Sequence, residues 1–379
     1  MNLPPLSLYI HIPWCIKKCP YCDFNSHAVK GDTPERAYIE ALLQDLARDL
    51  ATYAISRPVN SIFIGGGTPS LFSPESFGRL LDGIACQVPL ADAVEITLEA
   101  NPGTFESHKF AEFRSLGINR LSIGVQSFQD GLLAKLGRVH SSKEAIRAVE
   151  IAHRAGFDNI NLDLMFGLPG ASASCSQEDL QVAIDLEPEH ISFYQLTLEP
   201  NTYFHKFPPV LPDDEAVFLI QKAGQKLLAG CGYQQYEISA YSQTGHECRH
   251  NLNYWQFGDY LGIGAGAHGK ITGALPGQIM RTHKPKSPEQ YLQDSYANGG
   301  ADAVTLGDLP LEFVMNHLRL RKGFSVAHYQ AMTGLDPSTL EPALSGCMAQ
   351  GLIDYGHGRY FCSPKGWDFL NTVLQNFVA

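Results

Sequence analysis

Short β-rich runs return at regular intervals through the first half of the chain: LSLYIHI (6–12), NSIFI (60–64), VEITL (94–98), RLSIGV (120–125), NINLDLM (159–165) and HISFYQL (190–196). Helical stretches lie between them. Thr33 and Ser73 each precede a proline, the pattern of an N-cap followed by proline at the first helical position. Gly117 and Gly156 follow helical stretches, as C′ glycines do. Six strand–helix units at this spacing predict an α/β fold with a parallel sheet joined by crossover helices. Polar and glycine-rich signals recur just after almost every strand, so they gather on one rim. That favours a curved partial barrel, a TIM-like (β/α)6 arrangement, over an open doubly wound sheet, because barrel active sites form at the C-terminal ends of the strands.

In chain order the rim carries a cysteine triplet (CIKKCPYC, 15–22), then GGGTPS (65–70), Glu99, Gln126 and, within the fifth strand, Asp163. Each signal alone is weak, since a glycine run is usually a turn and a strand-end glutamate usually a surface residue. One per unit on one rim is hard to explain by accident.

Cys15, Cys19 and Cys22 are three of nine cysteines, and the other six are scattered. A chain of 379 residues can bury roughly 75% of its unfolded surface and needs no disulfide staple. The N-terminus has no basic n-region and only a short, proline-broken apolar run, so no signal peptide is read, and no apolar run reaches the ~18 residues of a membrane helix. A cytoplasmic protein with reduced thiols follows. The net charge of −11 makes no electrostatic case for nucleic acid or anionic membrane. The triplet is then zinc with His11 or His27 as fourth ligand, a Cys19–Cys22 redox pair, or an iron–sulfur cluster with one open iron. In the last case Tyr21 and Phe24 would wall the cluster from water.

C-x3-C-x-aromatic-C after the first strand of a partial barrel resembles the radical S-adenosylmethionine (SAM) superfamily. With IFIGGGTPS, SIGVQSF, NLDLMFGLP and HNLNYW, the chain resembles the coproporphyrinogen dehydrogenase-like branch, and within it the haem-chaperone group. The resemblance implies a [4Fe-4S] cluster on Cys15, Cys19 and Cys22. It implies SAM held by Tyr9, Tyr21, Gly66, Gly67, Thr68, Glu99, Gln126, Arg138 and Asp163. It also implies haem held at His250, Asn251, Tyr254 and Trp255, with His250 as the iron ligand and Cys248 and His268 as lesser candidates. The function implied is delivery of haem to apo-haemoproteins such as respiratory enzymes, with an electron donor to the cluster and transient membrane association as further partners. The alternative is an oxygen-independent coproporphyrinogen III dehydrogenase. Those enzymes carry a further cysteine where this chain has Phe24, and a longer N-terminal extension. The departure favours the non-synthetic branch, with at most slow SAM cleavage.

The expected organisation is a partial barrel over 1–235, a glycine-rich connecting region over 236–307, and a C-terminal domain over 308–379. Residues 197–213 are proline-rich and read as an irregular connection, with a helix over 214–230. The C-terminal stretch reads as three helices and a hairpin, the order of a winged-helix-like α+β domain. Its five Lys/Arg against six Asp/Glu argue against DNA.

Overall fold

The computed structural model of the chain describes residues 1–103, 107–273, 278–295 and 299–378. Twelve strands form one mixed sheet: β1 Leu6–Ile12, β2 Val59–Gly66, β3 Leu90–Ala100, β4 Arg120–Gln126, β5 Ile160–Phe166, β6 His190–Gln195, β7 Gln234–Gln235, β8 Ala240–Ser242, β9 Asp259–Ile263, β10 His268–Thr272, β11 Ile279–His283 and β12 Gly300–Ala303. Their spatial order is β12-β11-β10-β9-β1-β2-β3-β4-β5-β6-β8-β7. The run from β9 to β6 is parallel, and antiparallel strands continue it on both sides. All six sequence-read strands are present, and the sheet is the expected α/β partial barrel.

Side chains alternate along most of its central strands. Leu6, Leu8, Ile10 and Ile12 of β1, Ile62 and Ile64 of β2, Leu121, Ile123 and Val125 of β4, and Ile160, Leu162 and Leu164 of β5 belong to one apolar core under the crossover helices. The other face is polar: Ser7, Tyr9 and His11; Ser61; Glu95, Thr97 and Glu99; Arg120, Ser122 and Gln126; Asn161 and Asp163; His190, Ser192 and Tyr194. A sheet covered on both faces normally reads as near-continuous apolar runs. Here the inner face is instead a buried polar layer, bonded across neighbouring strands: Ser7–Ser61 at 2.7 Å, Asn161 Nδ2 to Ser122 at 2.8 Å, and His190 to Asn161 Oδ1 at 2.6 Å.

Ser73 caps the Pro74–Gln87 helix by accepting from the Ser76 N–H, as expected. Thr33 does not cap. The Glu35–Thr52 helix starts one residue late, with Pro34 at the cap position and no side-chain bond there. Glu35 instead turns its carboxylate to the Ser73 N–H and hydroxyl and to the Ser76 hydroxyl, tying two helix starts together. Gly117 and Gly156 are C′ residues at φ +94° and +86°. The Asp214–Gly230 helix begins at its Asp213 cap, and the irregular connection before it holds one short helix, Tyr203–Lys206.

Residues 259–303, read from sequence as a connection, supply β9 to β12. β9 lies parallel to β1, Leu6 opposite Asp259 and Ile10 opposite Ile263. The glycines that disguise this stretch are required by close packing: a Cβ at Gly262 would overlap the His268 carbonyl of β10. Beyond it, Lys284 is buried against Asp45 (2.6 Å) and Asp49 (2.9 Å) of the Glu35–Thr52 helix. Helices Leu309–His317, Val326–Thr333 and Ala343–Ala349 precede the hairpin Ile353–Gly356/Arg359–Cys362. They have their own core around Phe313, Leu344 and Trp367, and two short helices, Pro364–Asp368 and Leu370–Gln375, close the chain. No helix among the described residues is long and apolar enough to cross a membrane.

Candidate functional site

A cavity of about 530 Å³ opens over the C-terminal ends of the parallel strands. Cys15, Cys19, Cys22, Tyr21, Gly66, Gly67, Thr68, Glu99, Gln126, Arg138 and Asp163 all line it, and so do Asn251 and Trp255. Tyr9, His250 and Tyr254 do not.

The cysteine loop follows β1 directly. Residues Trp14–Cys15 pair with His27–Ala28, closing the loop on itself, and the Cys22 N–H bonds the Cys19 carbonyl at 3.2 Å. The GGG turn beneath it is built for close approach. Gly67 donates to the Ile12 carbonyl and Thr68 to the Trp14 carbonyl, and a side chain at Gly65 would take the space of Glu99, its Cβ 2.9 Å from Oε2. Burial raises the Cys15 and Cys22 thiols; Cys22 adds to the effect on Cys15, and Ser26 opposes it on both. Of the two expected shields, Tyr21 packs on Phe204, ring centroids 6.4 Å apart. Phe24 is 57% exposed and stands at the mouth.

Arg138 spans the site. Its Nη2 donates to Asn101 Oδ1 (2.8 Å) and the Gly124 carbonyl (2.7 Å), its Nη1 lies 3.8 Å from Cys19 Sγ, and its Nε is buried with no partner among the described residues. Asn101 in turn holds Thr68 Oγ1 at 2.8 Å. Gln126 sits at φ +71°, rare for a residue with a Cβ, and its Oε1 accepts from Tyr194 OH at 2.8 Å. Asp163 accepts from Ser122 (3.1 Å) and Asn161 (2.9 Å), and burial raises its carboxyl. Glu99 accepts from the Gly66 N–H at 3.0 Å. Burial, then the nearby Asp163, pushes its pKa up to about 8.

The HNLNYW segment, within the stretch read as a connecting region, belongs to a helix, Arg249–Trp255. It lies on the polar inner face of β1 to β3, and helical spacing divides it. His250 and Tyr254 face the sheet. His250 is 1% exposed; its Nδ1 meets Ser61 Oγ at 3.1 Å, its Nε2 meets Tyr254 OH at 3.0 Å, and the Phe63 ring lies tilted against it at 5.1 Å. Burial, then Arg120, lowers its pKa to about 3. One turn on, Asn251 and Trp255 face the cavity. Tyr9 is bonded to His11 Nδ1 at 2.9 Å. Cys248 is buried against Glu95, and His268 starts β10 with its ring 6.1 Å from His283; neither lines the cavity.

The sequence reading missed Asn101, Ser122, Tyr194, Glu237 and Arg319, all of which line the cavity. The period-2 alternation could have found Ser122 and Tyr194. Arg319 comes from the C-terminal domain, and no local signal marks it.

Residues 9–182 match the radical SAM superfamily, and residues 304–369 match the HemN C-terminal domain. The chain is 50% identical to the heme chaperone HemW of Escherichia coli (strain K12) over 100% of both chains. The chain belongs to the radical SAM superfamily, in its HemN/HemW branch. It is also 40% identical to the heme chaperone HemW of Bacillus subtilis (98% of this chain, 99% of that one) and 34% identical to a mitochondrial radical SAM domain-containing protein of Mus musculus (98% and 87%). Among solved structures, the radical SAM enzyme coproporphyrinogen III oxidase (HemN) of Escherichia coli superposes with a TM-score of 0.82 at 21% identity, over 99% of this chain and 90% of that one. At that identity the likeness shows the radical SAM fold. Within this family, His11 is a poor fourth ligand for zinc, since both its ring nitrogens are hydrogen-bonded, to Tyr9 OH and the Asn25 carbonyl. Among the described residues no three His, Cys, Asp or Glu side chains converge on one ion. The three cysteines line one cavity, and in an iron–sulfur cluster each cysteine binds a different iron.

Proposed function

We propose that the chain binds a [4Fe-4S] cluster on Cys15, Cys19 and Cys22, SAM beside it, and haem in the same cavity, and that it hands the haem to apo-haemoproteins such as respiratory enzymes. The observation that carries this reading is the shared cavity, with the cysteine loop, a buried polar floor and the Asn251/Trp255 wall opening on one space. Bound together, a reduced cluster and SAM supply one-electron cleavage of a sulfonium. The protein's part is binding and orientation. Arg138 suits a ligand carboxylate through its planar fork, with Tyr21 covering. Gly66, Gly67 and Thr68 let the backbone approach closely, while Gln126 and Asp163 complete the polar lining and Tyr9 supports it from behind. Glu99 holds a proton below pH 8, and because its Oε2 accepts from Gly66, Oε1 is left to carry it toward a ligand hydroxyl. Residues 1–235, 236–307 and 308–379 remain the proposed division of labour: cluster and SAM, haem wall, and lid or docking module. A separate electron donor and a cytoplasmic setting complete the reading.

The test is haem titration of the anaerobically purified protein, with and without its cluster. Roughly one haem per chain is expected; no binding under reducing, anaerobic conditions overturns the reading. The exposed Phe24 argues against a porphyrinogen decarboxylase. Incubation with coproporphyrinogen III, SAM and a reductant should leave the substrate unconverted, and robust formation of protoporphyrinogen IX would show that this departure had been misjudged.

A further inference from the structure

One wall of the cavity carries hydrogen-bond donors that the protein does not use. Trp255 Nε1 and Arg319 Nε are both buried without a partner among the described residues. The two side chains touch, the Arg319 guanidinium lying 4.3 Å over the Trp255 ring. Asn251 stands one helical turn from Trp255 on the same face and also lines the cavity. Arg319 makes one long bond, from Nη2 to Glu237 Oε2 at 3.3 Å. Glu237 is otherwise bound to the Ser239 N–H at 3.0 Å.

A buried donor left unpaired is costly, and native proteins keep few of them. Two in contact, on one cavity wall, from elements far apart in sequence, call for an acceptor from outside. Indole and guanidinium nitrogens only donate, so the missing group is an acceptor, and beside an arginine it is an anion with planar geometry.

We propose that Asn251, Trp255 and Arg319 form a subsite for a ligand carboxylate, and that this carboxylate is a propionate of the haem macrocycle. The assignment rests on the haem reading above. It gives the C-terminal domain a direct part in binding, because Arg319 reaches the cavity from that domain. SAM carries a carboxylate too, so the experiment separates the two sources.

Full-length, cluster-loaded protein is titrated with ferric haem and with haem dimethyl ester, following the Soret band, and SAM binding is measured separately by equilibrium dialysis. Wild type should bind the ester about ten-fold more weakly than haem, the loss expected for one charge-assisted bond. Trp255→Phe, which keeps an aromatic side chain but removes the indole N–H together with part of the ring, and Arg319→Met should reduce that discrimination while leaving SAM binding intact. If Arg319→Met does not fold, the ester comparison and Trp255→Phe still decide. Equal affinity of wild type for haem and ester overturns the subsite while the haem reading stands. Retained discrimination in both variants, or loss of SAM binding in its place, also overturns it. Binding of neither porphyrin overturns both readings together.

Discussion

Cysteine chemistry here is decided by place. Cys15, Cys19 and Cys22 line the cavity, whereas Cys86 is exposed and Cys347 is buried in the C-terminal core. Alanine at any of the first three should abolish a content of about four irons per chain, while alanine at Cys86, Cys175 or Cys347 should preserve it; stoichiometric zinc without sulfide would sink the cluster assignment. His250 poses a sharper question, because both its nitrogens are engaged. If it ligates haem, Nε2 must leave Tyr254 OH. Tyr254→Phe should then tighten haem binding severalfold, and His250→Ala should abolish it or shift the Soret band. If neither variant changes the band, His250 only props the helix. This ambiguity was not legible in the string HNLNYW. Read linearly, the motif is one cluster of ligand-like residues; wound into a helix, it separates into a pair on the sheet and a pair on the cavity. Glu99 and Gln126 were legible because each lies at or near the end of its own strand, where position along the chain determines position on the rim, and Asp163 because strand alternation puts it on the polar face. Arg319 was not, because its place depends on a contact with Glu237 across the interface with another domain.

Between elements, buried charge does the joining. Lys284 follows β11, yet its ammonium is buried against Asp45 and Asp49 of a helix that precedes β2. Removing one member of such a cluster leaves the others charged and desolvated. Lys284→Met should therefore cost about 3–5 kcal/mol in chemical denaturation, and a loss under 1 kcal/mol would show that water enters there. The strand–helix alternation up to residue 196 was legible because each unit is local. The strands after residue 258 were not, since Gly262 and Gly264 read as loop signals although Gly262 is there to let two backbones meet. Thr33 misled because the helix starts one residue later than the Thr-Pro pair implies: Pro34 takes the cap position, and the Glu35 N–H bonds the Thr33 backbone carbonyl.

For the molecule as a whole, a polar interior has a thermodynamic signature. Glu99 keeps its proton to about pH 8 in the folded chain and loses it near its ordinary value when unfolded. The unfolded state therefore binds fewer protons between about pH 4.5 and 8, and stability falls as pH rises through that window. Glu99→Gln should flatten that slope and stabilise the ligand-free protein at pH 8 by on the order of 1 kcal/mol, after allowing for water in the cavity; thermal melts across the window would check it, and an unchanged slope would assign the effect elsewhere. Chain order adds a matter of timing. β1 delivers the cysteine loop, yet one of its two neighbours, β9, comes after every other strand of the parallel run. A ribosome making this protein releases the three cysteines long before that neighbour exists. Pairings so distant in sequence are slow to form and leave strand edges exposed until they do. The loop thus rests on a half-paired strand through most of synthesis, and its geometry is complete only once residue 263 has emerged. Any group that needs all three cysteines in place is then expected to bind only late in synthesis, after β9 has joined β1.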